Sequence, residues 1–242
     1  MKSIYLKELK QFFSSPIGYL AMGLFFLLNS LFLWIIEGNY YIPSYRFADL
    51  TPFFNLAPWI LIFVIAAISM KSFSDEYKTG TIEILLTKPL TISQLVWAKF
   101  LSIWTIGKWM LIPTFIYVAS IQMLSLDGKI DYLNLISAYF GLILLIGVFS
   151  AIGIFASSLT SNQVIAFLTG LFLMFLFYYG WEGIGSFNLL GNLDLLFQQF
   201  SLDFHYQNFV KGLIKLKDVV YLISIMFLFV FLSSLNLKKQ IK

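Results

Sequence analysis

Along the chain, long apolar runs alternate with short polar punctuation, and six of the runs reach the length a bilayer demands. The hydrocarbon core is about 30 Å thick and a helix rises about 1.5 Å per residue, so a crossing takes roughly 20 mostly apolar residues. Ile17–Ile36, Phe53–Met70, Phe100–Ile121, Leu135–Ala156, Val164–Trp181 and Val219–Leu235 qualify. Ahead of them, residues 2–13 mix charges with Ile4, Tyr5, Leu9, Phe12 and Phe13 at helical spacing. That pattern predicts an amphipathic helix lying in the membrane interface. Two connections are too patterned to be mere spacers. Residues 71–99 predict short helices broken at Gly80–Thr81 and stopped by Pro89. Residues 182–218 interleave Phe197, Phe200, Phe204, Phe209 and Leu213 with polar positions, which suits helices lying on, or dipping into, a leaflet.

The expected fold is therefore an all-α membrane protein with six transmembrane helices, an N-terminal interfacial helix within 1–16 and an outer amphipathic or re-entrant segment at 182–218. One transmembrane domain takes all of residues 1–242. Composition agrees, since 60% of residues are hydrophobic and only 12% charged, against about 25% charged in a soluble domain. Cysteine is absent, which removes disulfides, thiolate metal sites and cysteine nucleophiles together. The 16 basic residues orient the chain. With the N-terminus in the cytoplasm, ten lie inside, five outside and one, Lys108, within a span. Such a bias places both termini in the cytoplasm.

Chemistry is sparse. There is no Gly-x-x-x-x-Gly-Lys-Ser/Thr phosphate cradle, and the one Gly-Lys pair, Gly107–Lys108, sits inside an apolar span. The chain itself is expected to be no enzyme and to hold no cofactor and no metal. His205, the single histidine, has no His or Cys partner at zinc-ligand spacing and reads as an interfacial polar residue. Serines such as Ser69, Ser150 and Ser157 lack a glycine elbow and read as helix-packing residues. Lys108 lies about 12 Å inside its span. It is either a functional intramembrane charge or a snorkelling side chain. No Asp or Glu lies deep in a span, which argues against proton- or sodium-coupled transport.

One stretch carries a resemblance. Glu76-Tyr77-Lys78-Thr79-Gly80-Thr81-Ile82-Glu83-Ile84-Leu85-Leu86-Thr87-Lys88-Pro89 resembles the Glu-x-x-x-Gly-Thr-x-Glu-x-Leu-Leu-Ser/Thr-x-Pro signature after the second span of ABC-2 type permeases. Lys7-Glu8-Leu9 with Phe13-Ser14-Ser15-Pro16 is similar to the interfacial helix of that family and its turn into the first span. Residues 157–163, which include Ser158, Thr160 and Asn162, are similar to its second inner loop. Residues 201–221 look like the stretch before the last span in gliding-motility-associated permeases of Bacteroidota.

The resemblance implies the membrane subunit of an ATP-binding-cassette exporter in a bacterial inner membrane. Its implied partners are a cytoplasmic ABC ATPase dimer, which binds ATP and magnesium, and a second permease copy or a related chain; no nucleic acid is implied. Glu76, Gly80, Thr81, Glu83, Thr87 and Pro89 then mark the ATPase-coupling segment. In it the glutamates supply polar contacts, Gly80 permits a tight turn or close approach, and Pro89 stops the helix. The alternative is a non-transporting scaffold in an ABC-powered envelope assembly. Topology reporters fused after Lys242 and within residues 74–90 are expected to read cytoplasm, and those near Asp127 and Asp203 the exterior. An exterior signal from 74–90 would remove the six-span arrangement.

Overall fold

The computed structural model describes residues 1–44, 49–81, 91–125, 130–186 and 197–240. Among them there is no strand. The helices are α1 (Lys2–Phe13), α2 (Pro16–Trp34), α3 (Thr51–Ser69), α4 (Lys71–Lys78), α5 (Ile92–Met110) and α6 (Phe115–Leu124). They continue as α7 (Tyr132–Ser158), α8 (Gln163–Phe175), α9 (Trp181–Ser186), α10 (Leu202–Val210) and α11 (Leu216–Gln240). A 3-10 turn spans Ile42–Ser44, and a π turn at Leu176–Gly180 joins α8 to α9.

Five helical stretches are long and apolar enough to cross a membrane: Thr51–Lys78, Ile92–Leu124, Tyr132–Ser158, Gln163–Gly185 and Leu216–Lys239. A sixth is counted when α1 and α2, bent by 67°, are taken together. The stretch Ile92–Leu124 is longer than the expected Phe100–Ile121 and is broken. Pro113 cannot donate an amide hydrogen, and the chain tightens into 3-10 bonds from Leu111 N to Lys108 O and Ile112 N to Trp109 O before α6 begins.

The mast of the bundle is α7. Its 27 residues are covered by α3, α5, α8, α10 and α11, and Leu142, Leu145, Ile146, Phe149 and Ile152 are fully buried. By contrast α8 and α11 expose Leu168, Phe172, Phe227 and Phe231, the surface expected of lipid-facing helices. Contact with α3 is closest at Gly153, where an added Cβ would overlap the Ser69 side chain. The helices alternate in direction. Consequently α1, the end of α3, α4, the start of α5 and the end of α11 share one end of the bundle, and the start of α3, the π turn and α10 share the other.

Helix α3 carries Pro58 in its interior. A proline there deprives the carbonyl four residues back, that of Phe54, of its amide donor. The Tyr206 hydroxyl of α10 fills the gap at 3.0 Å. Burial, and next the Asp203 carboxylate, push the Tyr206 hydroxyl well above its ordinary pKa, so it stays a donor.

Gly153→Leu is expected to lower stability by about 1–3 kcal/mol through overpacking against α3. Gly23→Leu, where nothing lies within 4 Å of the new Cβ, should be neutral. Thermal aggregation in detergent, followed for both variants, checks the difference.

Candidate functional site

The densest buried charge lies where α1, α4 and α5 meet. Lys99 is 1% exposed, and its ammonium donates to Glu8 Oε1 at 3.0 Å, Glu76 Oε1 at 2.7 Å and the Ser72 carbonyl at 2.6 Å. Those three bonds use all the hydrogens a lysine has. The Phe73 ring lies 5.0 Å from the same nitrogen. The partners come from two other helices, Glu8 from α1 and Ser72 and Glu76 from α4, so the cation on α5 ties three helices together. Sequence reasoning counted Lys99 only as one of the ten inner basic residues. Its only signal was position, eight residues into α5 on the face of Leu95 and Ser102, both buried.

A second set of bonds anchors α4 to the mast. Because α3 turns into α4 at Met70, the first-turn amides of α4 lack a helical acceptor. Ser157 Oγ of α7 accepts from Phe73 N at 2.9 Å and Ser74 N at 3.2 Å and donates to the Met70 carbonyl at 2.9 Å. Gln163, the first residue of α8, donates to Asp75 Oδ1 at 2.8 Å. Of the residues singled out nearby, Asn162 caps α8 through Val164 N and Ile165 N, and Thr160 Oγ1 accepts from Asn162 N. The Ser158 carbonyl accepts from Asn236 of α11 at 2.6 Å. Thus Ser158, Thr160 and Asn162 shape the connection, while Ser157 and Gln163 reach α4.

Within the signature stretch, Glu76 does not face outward as a polar contact for a partner, because its carboxylate is turned in to Lys99. Gly80 has φ of +69°, and among the described residues nothing lies within 4 Å of a Cβ built there. The positive φ fits the expected tight turn. Thr81 exchanges a hydrogen bond with Thr79 at 2.9 Å. Glu83, Thr87 and Pro89 lie outside the described residues. Lys108 stands in the last turn of α5 with its ammonium 4.4 Å from the Trp104 ring. Both the ring face and the helix C-terminus favour a cation.

At the other end, His205 is buried and paired. Its Nδ1 lies 2.7 Å from Asp218 Oδ1, its Nε2 lies 2.9 Å from the Gln199 carbonyl, and its ring stacks on Tyr221. Asp218 is fully buried and also accepts from Asn208 at 2.9 Å. The histidine is thus a tie between α10 and α11. Among the described residues no group of three or more His, Cys, Asp or Glu is placed to hold a metal ion.

The family model described as ABC-2 family transporter protein matches residues 3–237, nearly the whole chain. No curated protein matches the chain significantly.

Lys99→Met strands two carboxylates without their cation, which typically costs about 3–5 kcal/mol. The triple variant Glu8→Gln, Lys99→Met, Glu76→Gln removes every charge and is expected to recover much of that loss. Melting of the purified variants in detergent reads the difference, and equal stability of wild type and Lys99→Met would show the cluster to be inert.

Proposed function

We propose, from the premise that the chain belongs to the ABC-2 transporter family and is a membrane permease subunit of an ABC transporter, that it is an exporter subunit driven through α4. Permeases of this family work with a cytoplasmic ABC ATPase. In this reading ATP and magnesium are bound by that partner, two copies or two related chains form the translocation path, and both termini sit in the cytoplasm of a bacterial inner membrane. Six spans cross the bilayer, and α1 lies in its inner interface. The resemblance of residues 201–221 extends the reading to work in the cell envelope of the gliding-motility kind.

The observation that carries the coupling role is the way α4 is held. It continues α3 directly and is fastened to α1 and α5 by Lys99, to α7 by Ser157 and to α8 by Gln163. A push on α4 is thereby shared among five other helices. The segment beyond the Gly80 turn, with Glu83, Thr87 and Pro89, is the part we assign to the ATPase groove. Glu76 acts inward, passing load to Lys99.

Gly80→Val forces a β-branched residue to positive φ at a cost of about 1–3 kcal/mol, while the spans are untouched. Glu83→Lys leaves the backbone alone and puts a mismatched charge at the groove, where mispairing costs several kcal/mol. Both variants are expected to reach the membrane in normal amounts and to lose ATPase co-purification or cellular function, with an Asp127 substitution as control. Wild-type pull-down and function in both would take the coupling role away from this segment.

A further inference from the structure

The Lys99 cluster forms one wall of a cavity of about 430 Å³, within the roughly 300–1,000 Å³ of small-ligand sites. Its lining is graded from charged to apolar. Six charged side chains line it, three cationic (Lys7, Lys71, Lys99) and three anionic (Glu8, Asp75, Glu76). Lys7 and Lys71 are exposed and form no ion pair among the described residues. Ala21, Ala67, Ile103 and Ile106 are among the other lining residues, with Ser15 and Ser102 beside them. Along α5, Ile103 and Ile106 lie one and two turns past Lys99, roughly 6 and 10 Å deeper into the bundle. A charge-balanced mouth thus opens on an apolar slot that runs with the helix axes, the profile of a zwitterionic amphiphile aligned with the bilayer.

One atom specifies the head group. Glu76 is 9% exposed, and while its Oε1 takes the Lys99 ammonium, its Oε2 is buried without a hydrogen-bond partner. Lys99 has no hydrogen left to offer it. A buried carboxylate oxygen lacking a donor is costly. A primary ammonium supplies that donor, and a quaternary ammonium, which has no N–H, does not.

We propose that this cavity binds a phospholipid with a phosphoethanolamine head from the leaflet at the α4 end of the bundle. A turn of the Glu76 carboxylate brings Oε2, closed off in the free protein, to the cavity, where the ammonium donates to it; the phosphate lies toward Lys7 and Lys71, and an acyl chain follows Ala67, Ile103 and Ile106.

The full chain is reconstituted in nanodiscs of equal parts phosphatidylethanolamine, phosphatidylcholine and phosphatidylglycerol, and lipids retained on its release are counted by native mass spectrometry. Phosphatidylethanolamine should be retained over the other two by roughly tenfold, as one charge-assisted hydrogen bond supports. Glu76→Gln replaces an acceptor oxygen with a donor nitrogen and should abolish that preference. Ala67→Phe fills the slot without touching a charge and should abolish retention, which keeps the test informative if Glu76→Gln fails to fold. Phe231→Ala, on an exposed face of α11, should change nothing. Free O-phosphoethanolamine should not displace the lipid, and displacement would overturn the lipid assignment in favour of a soluble head-group ligand. Equal retention of the three lipids, or a preference unchanged in both cavity variants, would overturn the site and leave annular lipid only. The readout needs no ATPase, so its outcome is independent of the coupling role.

Discussion

A backbone carbonyl or amide released by a bend inside a bilayer has no water to turn to, and each must find a donor or acceptor within the protein. Several of the polar contacts in this bundle answer that constraint. Pro58 frees the Phe54 carbonyl, and Tyr206 comes from a distant helix to bond it. At Met70, where α3 passes into α4, the amides of Phe73 and Ser74 both donate to Ser157. At the π turn the Tyr178 carbonyl accepts from Ser201 at 2.5 Å, and below Pro113 the Leu111 carbonyl accepts from Thr114. Each break is also a point where a second helix is tied in, at Thr114 through the Tyr139 hydroxyl of α7 at 3.0 Å.

The two ends of the bundle are held by different chemistry. At the α10 end the ties are neutral or singly ionic and local to a few helices, as in Tyr206 to Phe54, Gln207 to Asn55 and His205 to Asp218. The α4 end concentrates its charge in one lysine shared by two glutamates. Such a pair contributes little net stability because desolvation offsets the attraction, yet separating its members is expensive. It behaves as a rigid joint between α1, α4 and α5 more than as a source of folding free energy.

The fold was legible wherever it depended on length and apolarity. Phe53–Met70, Leu135–Ala156 and Val219–Leu235 fall within α3 to Met70, α7 and α11 because lipid imposes a length that local sequence must meet. The first crossing is less sharply defined, since the helices at Lys2–Phe13 and Pro16–Trp34 meet at an angle that hydropathy does not encode. The Gly80 turn was legible from residue type, because positive φ favours glycine. What escaped was long-range pairing. Nothing near Lys99 in sequence distinguishes it from Lys71 or Lys78, and its partners are 91 and 23 residues away. The pairing of His205 escaped for the same reason, its carboxylate lying 13 residues on across a turn at Gly212.

The tie between Pro58 and Tyr206 also sets an order of assembly. A nascent chain emerges from its N-terminus, so α3 exists with its unmatched carbonyl through the synthesis of the next 152 residues, until α10 arrives. The lysine joint closes far sooner, since Glu8 and Glu76 both precede Lys99. During biogenesis the lysine joint is therefore closed while the opposite end is still open. An arrested chain ending before α10 would present to the insertion machinery a half-built bundle with one polar vacancy at a known depth.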